Sequence, residues 1–360
     1  MTKYVVSLIL LLSFVFIFSG CRPKDLEGAF VDYNAGRYDN ALMLAEKVTK
    51  EHPENSEGWY LLGVLYGKKD RIPDMVNAFN KSLGVDQTHK QKIDIEMQNY
   101  YAKKFNSGAQ NYNSYIKAED PTSEKAIKTI EEAIQNFKDA NTIKSDFRAL
   151  NLIAQGYKMM GNDEAAMENF QKLTEAYPDS ADAWVNLGKY YYESKDYNKG
   201  VEMFDKAQQI DPKNSEALLF LAQSYDIMEQ PDKAIPIYKK ALEVNQEDSA
   251  IPFNLGLLLY KSAIAKGANA DLKNEKLAEA ITYLGKAIEL NPEFQSSYQL
   301  KGNAELLLQK YEDAKVTLED GVNKFPEDAQ MWNDLGVCYT QLNDKEKAEA
   351  AFSKADALKN

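Results

Sequence analysis

Four residues carry side chains whose chemistry could go beyond packing and solvation: His52, His89, Cys21 and Cys338. A histidine can act as a base or a metal ligand near neutral pH. A cysteine can act as a nucleophile, a metal ligand or a disulfide partner. His52 and His89 sit in KEHPEN and DQTHKQ, far apart and without another histidine, and both are expected as solvated turn residues. Cys338 lies in the apolar stretch LGVCY and is expected as a small buried hydrophobe. Two cysteines are too few for a disulfide scaffold. The chain has no HExxH, GxSxG, glycine-rich phosphate loop or CxxC. Its 55 Asp and Glu read as solvating charge along helix faces, and no pair stands out as an acid and its base. Neither an enzyme, a cofactor nor a metal is expected. With 43 Lys and Arg the net charge is −12, and no basic cluster with interleaved aromatics occurs, so no nucleic-acid role is expected.

Cys21 differs from the other three because it ends an apolar run. Residues 5–18 would span about 21 Å as a helix, short of a ~30 Å hydrocarbon core. Lys3 before the run and Ser19-Gly20 after it give residues 1–20 the pattern of a secretory signal peptide. The same residues also allow an uncleaved N-terminal anchor in which Cys21 is incidental. The stretch Phe18-Ser19-Gly20-Cys21 resembles a bacterial lipobox, with Phe18 where leucine is usual. The resemblance implies cleavage after Gly20 and lipid attachment at Cys21, hence anchoring in the bacterial cell envelope. Several acyl chains hold stably because each buried CH₂ adds roughly 0.8 kcal/mol. Arg22 stands where the family places an inner-membrane retention aspartate, which favours the outer over the inner membrane.

The elements that must position everything else repeat every 34 residues. WVNLGKYYYESKDYNKGVEMFDKAQQIDP (184–212) aligns with segments starting at Trp59 and Trp332, matching large, small and turn-forming positions. Trp184, Leu187 and Tyr191 fall on one helical face, and Phe204 and Ala207 do so on a second helix. Small residues recur at Gly63, Ala154, Gly188, Ala222, Gly256, Gly302 and Gly336. Asp211-Pro212, Asn291-Pro292 and Phe325-Pro326 close second helices. The pattern resembles the tetratricopeptide repeat. The resemblance implies an all-α solenoid, a right-handed superhelix of about nine repeats filling residues 21–360. The expected repeats are 22–55, 56–89, a divergent 90–146, 147–180, 181–214, 215–248, 249–294, 295–328 and 329–360. Residues 90–146 hold one repeat or two. Extra residues near 100–122 and 262–273 are expected in loops at the solenoid edge, as binding elements or as tolerated elongations.

Such repeats build a groove whose wall is made by the first helix of each pair. The resemblance places groove-facing side chains at positions 2, 5, 6, 9, 12 and 13. Here those positions supply Asn151 and Gln155; Asn186, Lys189 and Tyr192; Gln223; Asn254 and Tyr260; Asn303; and Asn333. A row of amides both donates and accepts, which suits the backbone of an extended peptide; solvation by water or neighbouring helices is the competing reading. The family's clamp for C-terminal carboxylates needs Lys at the fifth position with Asn at the ninth. Leu26/Phe30, Tyr60/Val64, Val185/Lys189 and Phe253/Leu257 do not match it. The expected function is a membrane-anchored adaptor that binds a protein or peptide in the groove. The alternatives are a regulator of an envelope enzyme such as a cell-wall hydrolase, and a glycan-binding accessory protein using some of its 22 tyrosines.

Overall fold

The computed structural model describes residues 22–266 and 270–359, and every regular element among them is a helix. The signal segment 1–20 and the lipidation residue Cys21 lie outside the described residues. The chain divides into two units, Met1–Gly161 and Asn162–Asn360. The first contains α1 (Lys24–Asn34), α2 (Tyr38–Glu51), α3 (Ser56–Lys68), α4 (Ile72–Val85), α5 (Lys90–Ile116), α6 (Glu124–Ile143) and α7 (Phe147–Met159). The second opens with α8 (Asp163–Ala176), followed by the pairs α9 (Ala181–Glu193) and α10 (Tyr197–Ile210), and α11 (Ser215–Ile227) and α12 (Pro231–Val244). It continues with α13 (Ala250–Ile264) and α14 (Ala270–Leu290), α15 (Gln295–Leu307) and α16 (Tyr311–Lys324), then α17 (Ala329–Gln341) and α18 (Lys345–Ala357). No helix of the described residues is long and apolar enough to cross a membrane.

The α9–α10 pair shows why the sequence folds this way. Ala183, Val185 and Leu187 are buried on α9, and Phe204 and Ala207 are fully buried on α10. A Cβ at Gly188 would lie 2.5 Å from the Phe204 ring, so only glycine lets the two helices approach this closely. Trp184 Nε1–H donates to the Pro178 carbonyl at 2.8 Å, and Lys206 Nζ lies 4.3 Å from its ring centroid. Trp59 and Trp332 make the same bond to Pro53 and Pro326. The tryptophan thus ties each of these first helices to the turn before it, which gives a polar reason for the Pro-to-Trp spacing.

Within most pairs the turn is closed by one left-handed residue. Positive φ occurs at Gly36, Asp70, Gly161, Lys195, Glu229, Gln309 and Asn343, with the members of each run 34 residues apart. The following amide donates back into the first helix, as Gln230 does to Tyr225 O at 2.8 Å and Asp344 to Tyr339 O at 2.9 Å. This bond satisfies a carbonyl left open at the helix end. Five of these positions are not glycine and carry the steric cost of that conformation. Two substitutions test this in denaturant titrations. Gly36→Ala, where a Cβ meets nothing within 4 Å, should cost about 1 kcal/mol. Glu229→Gly should gain about 0.5 kcal/mol, the relief being partly offset by glycine's unfolded-state entropy.

Among the described residues, the α5–α6 connection lacks this turn, and it belongs, with α13–α14, to the repeats with extra residues. The expectation of edge loops there needs correction. The residues near 100–122 are mostly helix: α5 runs for 27 residues, about 40 Å, and α6 for 20. The segment 90–146 is therefore one long helix pair. Of the stretch 262–273, residues 262–264 end α13, and 270–273 begin α14, a helix of 21 residues. Gly256 meets Leu284 as Gly188 meets Phe204, with 12 more residues between them. The insertion therefore lies between the partners and leaves their packing intact. A sequence such as KNEKLAEA extends the second helix, because helix satisfies its backbone groups and its residues favour it.

Of the two histidines, His52 sits in the turn after α2 with a solvent-accessible side chain, as expected, and His89 departs from expectation. His52 Nδ1 lies 3.4 Å from Glu54. His89 caps the start of α5, half-buried, its ring stacked on Tyr60 at 4.7 Å with Nδ1 enclosed and unpartnered. An aromatic on α3 has drawn the imidazole out of water. Cys338 is fully buried, and burial pushes its thiol up to about 12.

Candidate functional site

In the Asn162–Asn360 unit the first helices α9, α11, α13, α15 and α17 carry eight of the ten expected groove residues. Helix α9 touches α11, α13 touches α15, and α15 touches α17. The sixth positions of the repeats starting at 181, 215, 249, 295 and 329 are Asn186, Phe220, Asn254, Leu300 and Asp334.

Two clusters form on this face. In the first, Lys189 Nζ pairs with Glu216 at 2.7 Å and lies 5.4 Å from the Phe220 ring centroid. Tyr192 meets Phe220 edge-on at 5.3 Å, and Phe220 stacks over Phe204 at 5.7 Å. Lys189 and Tyr192 are thus brought together, but Tyr192 also packs on the core around Val185 and Phe204. Burial raises its phenol's pKa. The Lys189–Glu216 pair is open to solvent and contributes less than about 1 kcal/mol to folding.

The second cluster surrounds Asp334 on α17, a residue the sequence reading passed over. Its side chain is buried, the whole residue being 7 % exposed. Oδ1 accepts from Gln330 Nε2 at 2.8 Å, whereas Oδ2 is enclosed and has no hydrogen-bond partner. Burial raises its pKa, opposed by the amides of Gln330, Asn333 and Asn303. Tyr260 on α13 lies close enough to feel its charge, which adds to burial in raising the phenol's pKa. Three expected groove residues, Tyr260, Asn303 and Asn333, therefore converge on one acid.

The remaining expected residues join neither cluster. Asn186, Gln223 and Asn254 are half-buried and make no side-chain hydrogen bond to a described residue. Asn151 and Gln155 belong to the other unit. There Gln155 Oε1 accepts from the Tyr112 hydroxyl at 3.0 Å, and Asn151 Oδ1 is enclosed without a partner. A cavity of about 520 Å³ opens at the ends of α11 and α13, lined by Asp226, Pro231, Leu258, Lys261 and Ser262. Burial raises the Asp226 pKa, and nearby Lys261 opposes that rise.

Phe220, Asp226 and Asp334 were the functional candidates missed. The register that selected Asn186 and Asn254 at the sixth position also selects Phe220 and Asp334, so position was a sufficient signal. Burial was the missing information. Among the described residues, no three His, Cys, Asp or Glu are grouped to hold a metal ion. Chemically, this face offers hydrogen-bond donors and acceptors, two aromatic edges and one unpaired acid.

Models of the tetratricopeptide repeat match residues 31–74, 149–180, 179–247, 266–315 and 300–360. The chain is similar to the crystal structure of YrrB, described as a TPR protein with an unusual peptide-binding site. That match has 22 % identity, a TM-score of 0.47, and covers 54 % of this chain and 93 % of YrrB. Pseudomonas aeruginosa pilF matches at 17 % identity and a TM-score of 0.47, covering 64 % of this chain and 96 % of its own. MamA matches at 20 % identity and a TM-score of 0.43, covering 49 % and 91 %. No curated protein sequence matches the chain.

Proposed function

Because the chain belongs to the tetratricopeptide-repeat family, we propose that it is a non-catalytic adaptor, held at a bacterial envelope membrane by lipid on Cys21, that binds an extended protein segment along its first helices. The observation that carries this reading is the row of half-buried amides at Asn186, Gln223 and Asn254, which have no internal hydrogen-bond partners. A half-buried amide has already lost part of its water, so a peptide backbone can replace the remainder at little cost. The lipid confines this face to a membrane surface and raises its effective concentration for partners there, with the outer membrane favoured over the inner.

Photo-crosslinkers at positions 189 and 223 in intact cells test the reading. Capture of one protein from both positions, lost when Asn186 and Asn254 become alanine, is the expected result. A second reading, regulation of an envelope enzyme through the solenoid edge, is favoured by the cavity at Asp226 and Lys261 beside the insertion. It predicts adducts from position 262 and none from 189 or 223, which would overturn the adaptor reading.

A further inference from the structure

The Asp334 cluster fits one kind of partner group, an inference that rests on the adaptor reading. A buried carboxylate with an orphan oxygen is costly, and such groups are ordinarily paired with a cation or fully hydrogen-bonded. Asp334 is neither. Oδ1 has Gln330, Oδ2 makes no hydrogen bond, and the strongest influences on the carboxyl besides burial are the amides of Gln330, Asn333 and Asn303, not a lysine or arginine. A charged group that does act on it, Asp328, carries the same sign. Lys301, two residues before Asn303 on α15, is already committed, bonding Glu305 at 2.8 Å and the Thr317 hydroxyl at 2.6 Å.

Half-buried Asn303 and Asn333 flank the acid, and Tyr260 adds a half-buried ring from α13. Amide side chains turn on fast timescales, so they can part to admit a slender chain. An aliphatic stem against the tyrosine ring and a cationic head on Oδ2 would satisfy every surface of the site. A partner carboxylate would face Asp334 itself and be repelled.

We propose that Asp334 is the acceptor for a cationic side chain, lysine or arginine, of the segment that lies along the first helices of the Asn162–Asn360 unit. Pairing removes the cost of the lone buried acid, so recognition is coupled to the relief of a built-in destabilisation. It also gives an acidic protein selectivity for basic segments at one defined repeat.

The test uses the full-length protein in detergent and two trifluoroacetyl-capped, amidated pentapeptides, Ala-Ala-Xaa-Ala-Ala, with Xaa lysine or norleucine, followed by ¹⁹F NMR. The lysine peptide should bind about tenfold more tightly than the norleucine peptide, a difference of about 1.4 kcal/mol. Asp334→Asn should erase that preference. The variant should also fold at least as well as the parent at neutral pH. A carboxyl with a raised folded-state pKa lends its stability below the unfolded value, and loses it as pH rises through the folded one. Equal affinities in the parent, no binding of either peptide, or a lysine preference that survives Asp334→Asn would each overturn the proposal. None of these outcomes touches the crosslinks at 189 and 223, on which the adaptor reading stands or falls separately.

Discussion

Phe204→Ala will destabilise the Asn162–Asn360 unit by about 3–5 kcal/mol. Phe204 is fully buried, its ring fills the space that Gly188 leaves open, and it stacks on Phe220 of the next pair. Truncation removes contacts inside the α9–α10 pair and between that pair and α11 at once. Gly188 cannot fill the gap, because it has no side chain to move. In an array stabilised by neighbour contacts, such a loss is local. Hydrogen exchange should therefore accelerate in α9, α10 and α11 while α16, α17 and α18 stay protected. The terminal equivalent, Phe352, is half-buried at the end of the array and should cost less when truncated. A loss below about 1 kcal/mol, or exchange rising evenly through the unit, would show that the repeats do not divide their stability this way.

The same pairing explains how much of the fold was legible. Glycine or alanine in the first helix and a large residue in the second recur at constant spacing, so Gly188 with Phe204 and Gly302 with Leu318 announce a helix pair from sequence alone. The count of extra residues before Leu284 was also legible, but not their state, because a loop and a longer helix of polar residues differ little in pattern. In α5 the obstacle was different. Ile93, Lys104, Gly108, Tyr112 and Tyr115 are buried on a helix rich in polar residues, and Gly108 meets Phe137 across an irregular interval. No spacing rule links those two positions without knowing that the left-handed turn is absent.

For the candidate site, position was readable and environment was not. Asn303 and Asn333 were found by register, and both turned out to flank the same acid. Asp334 sits next to Asn333 in sequence and looks like one more solvating carboxylate. Its burial follows from packing among α13, α15 and α17, which no local pattern encodes. His89 was misread for the same reason, since a polar turn sequence says nothing of the Tyr60 ring beneath it.

Lys104→Ala will cost the Met1–Gly161 unit about 3–5 kcal/mol, because it leaves a buried acid without its counter-ion. Lys104 is 6 % exposed, and its ammonium bonds Asp139 on α6 at 2.8 Å and Asp70 at 2.7 Å. Asp70 is the left-handed residue in the α3–α4 turn, so one lysine on α5 ties that turn to the long pair that follows. Burial, the largest influence on Lys104, lowers its pKa, but the two aspartates together hold it above the ordinary value of 10.5. A lysine raised in this way stabilises the fold fully below its unfolded value, and that contribution is lost as pH rises through the higher folded value. Denaturant titrations of the parent and Lys104→Met should therefore differ most near neutral pH and converge as pH rises past the ordinary lysine value of 10.5. Adding Asp139→Leu to Lys104→Met should recover most of the loss, because an apolar pair can replace a buried ion pair at little net cost, and exposed Gln135, which donates to Asp139, can turn to water. A gap that stays constant through alkaline pH, or a double variant no better than the single one, would mean that Lys104 acts through its methylenes and not through its charge.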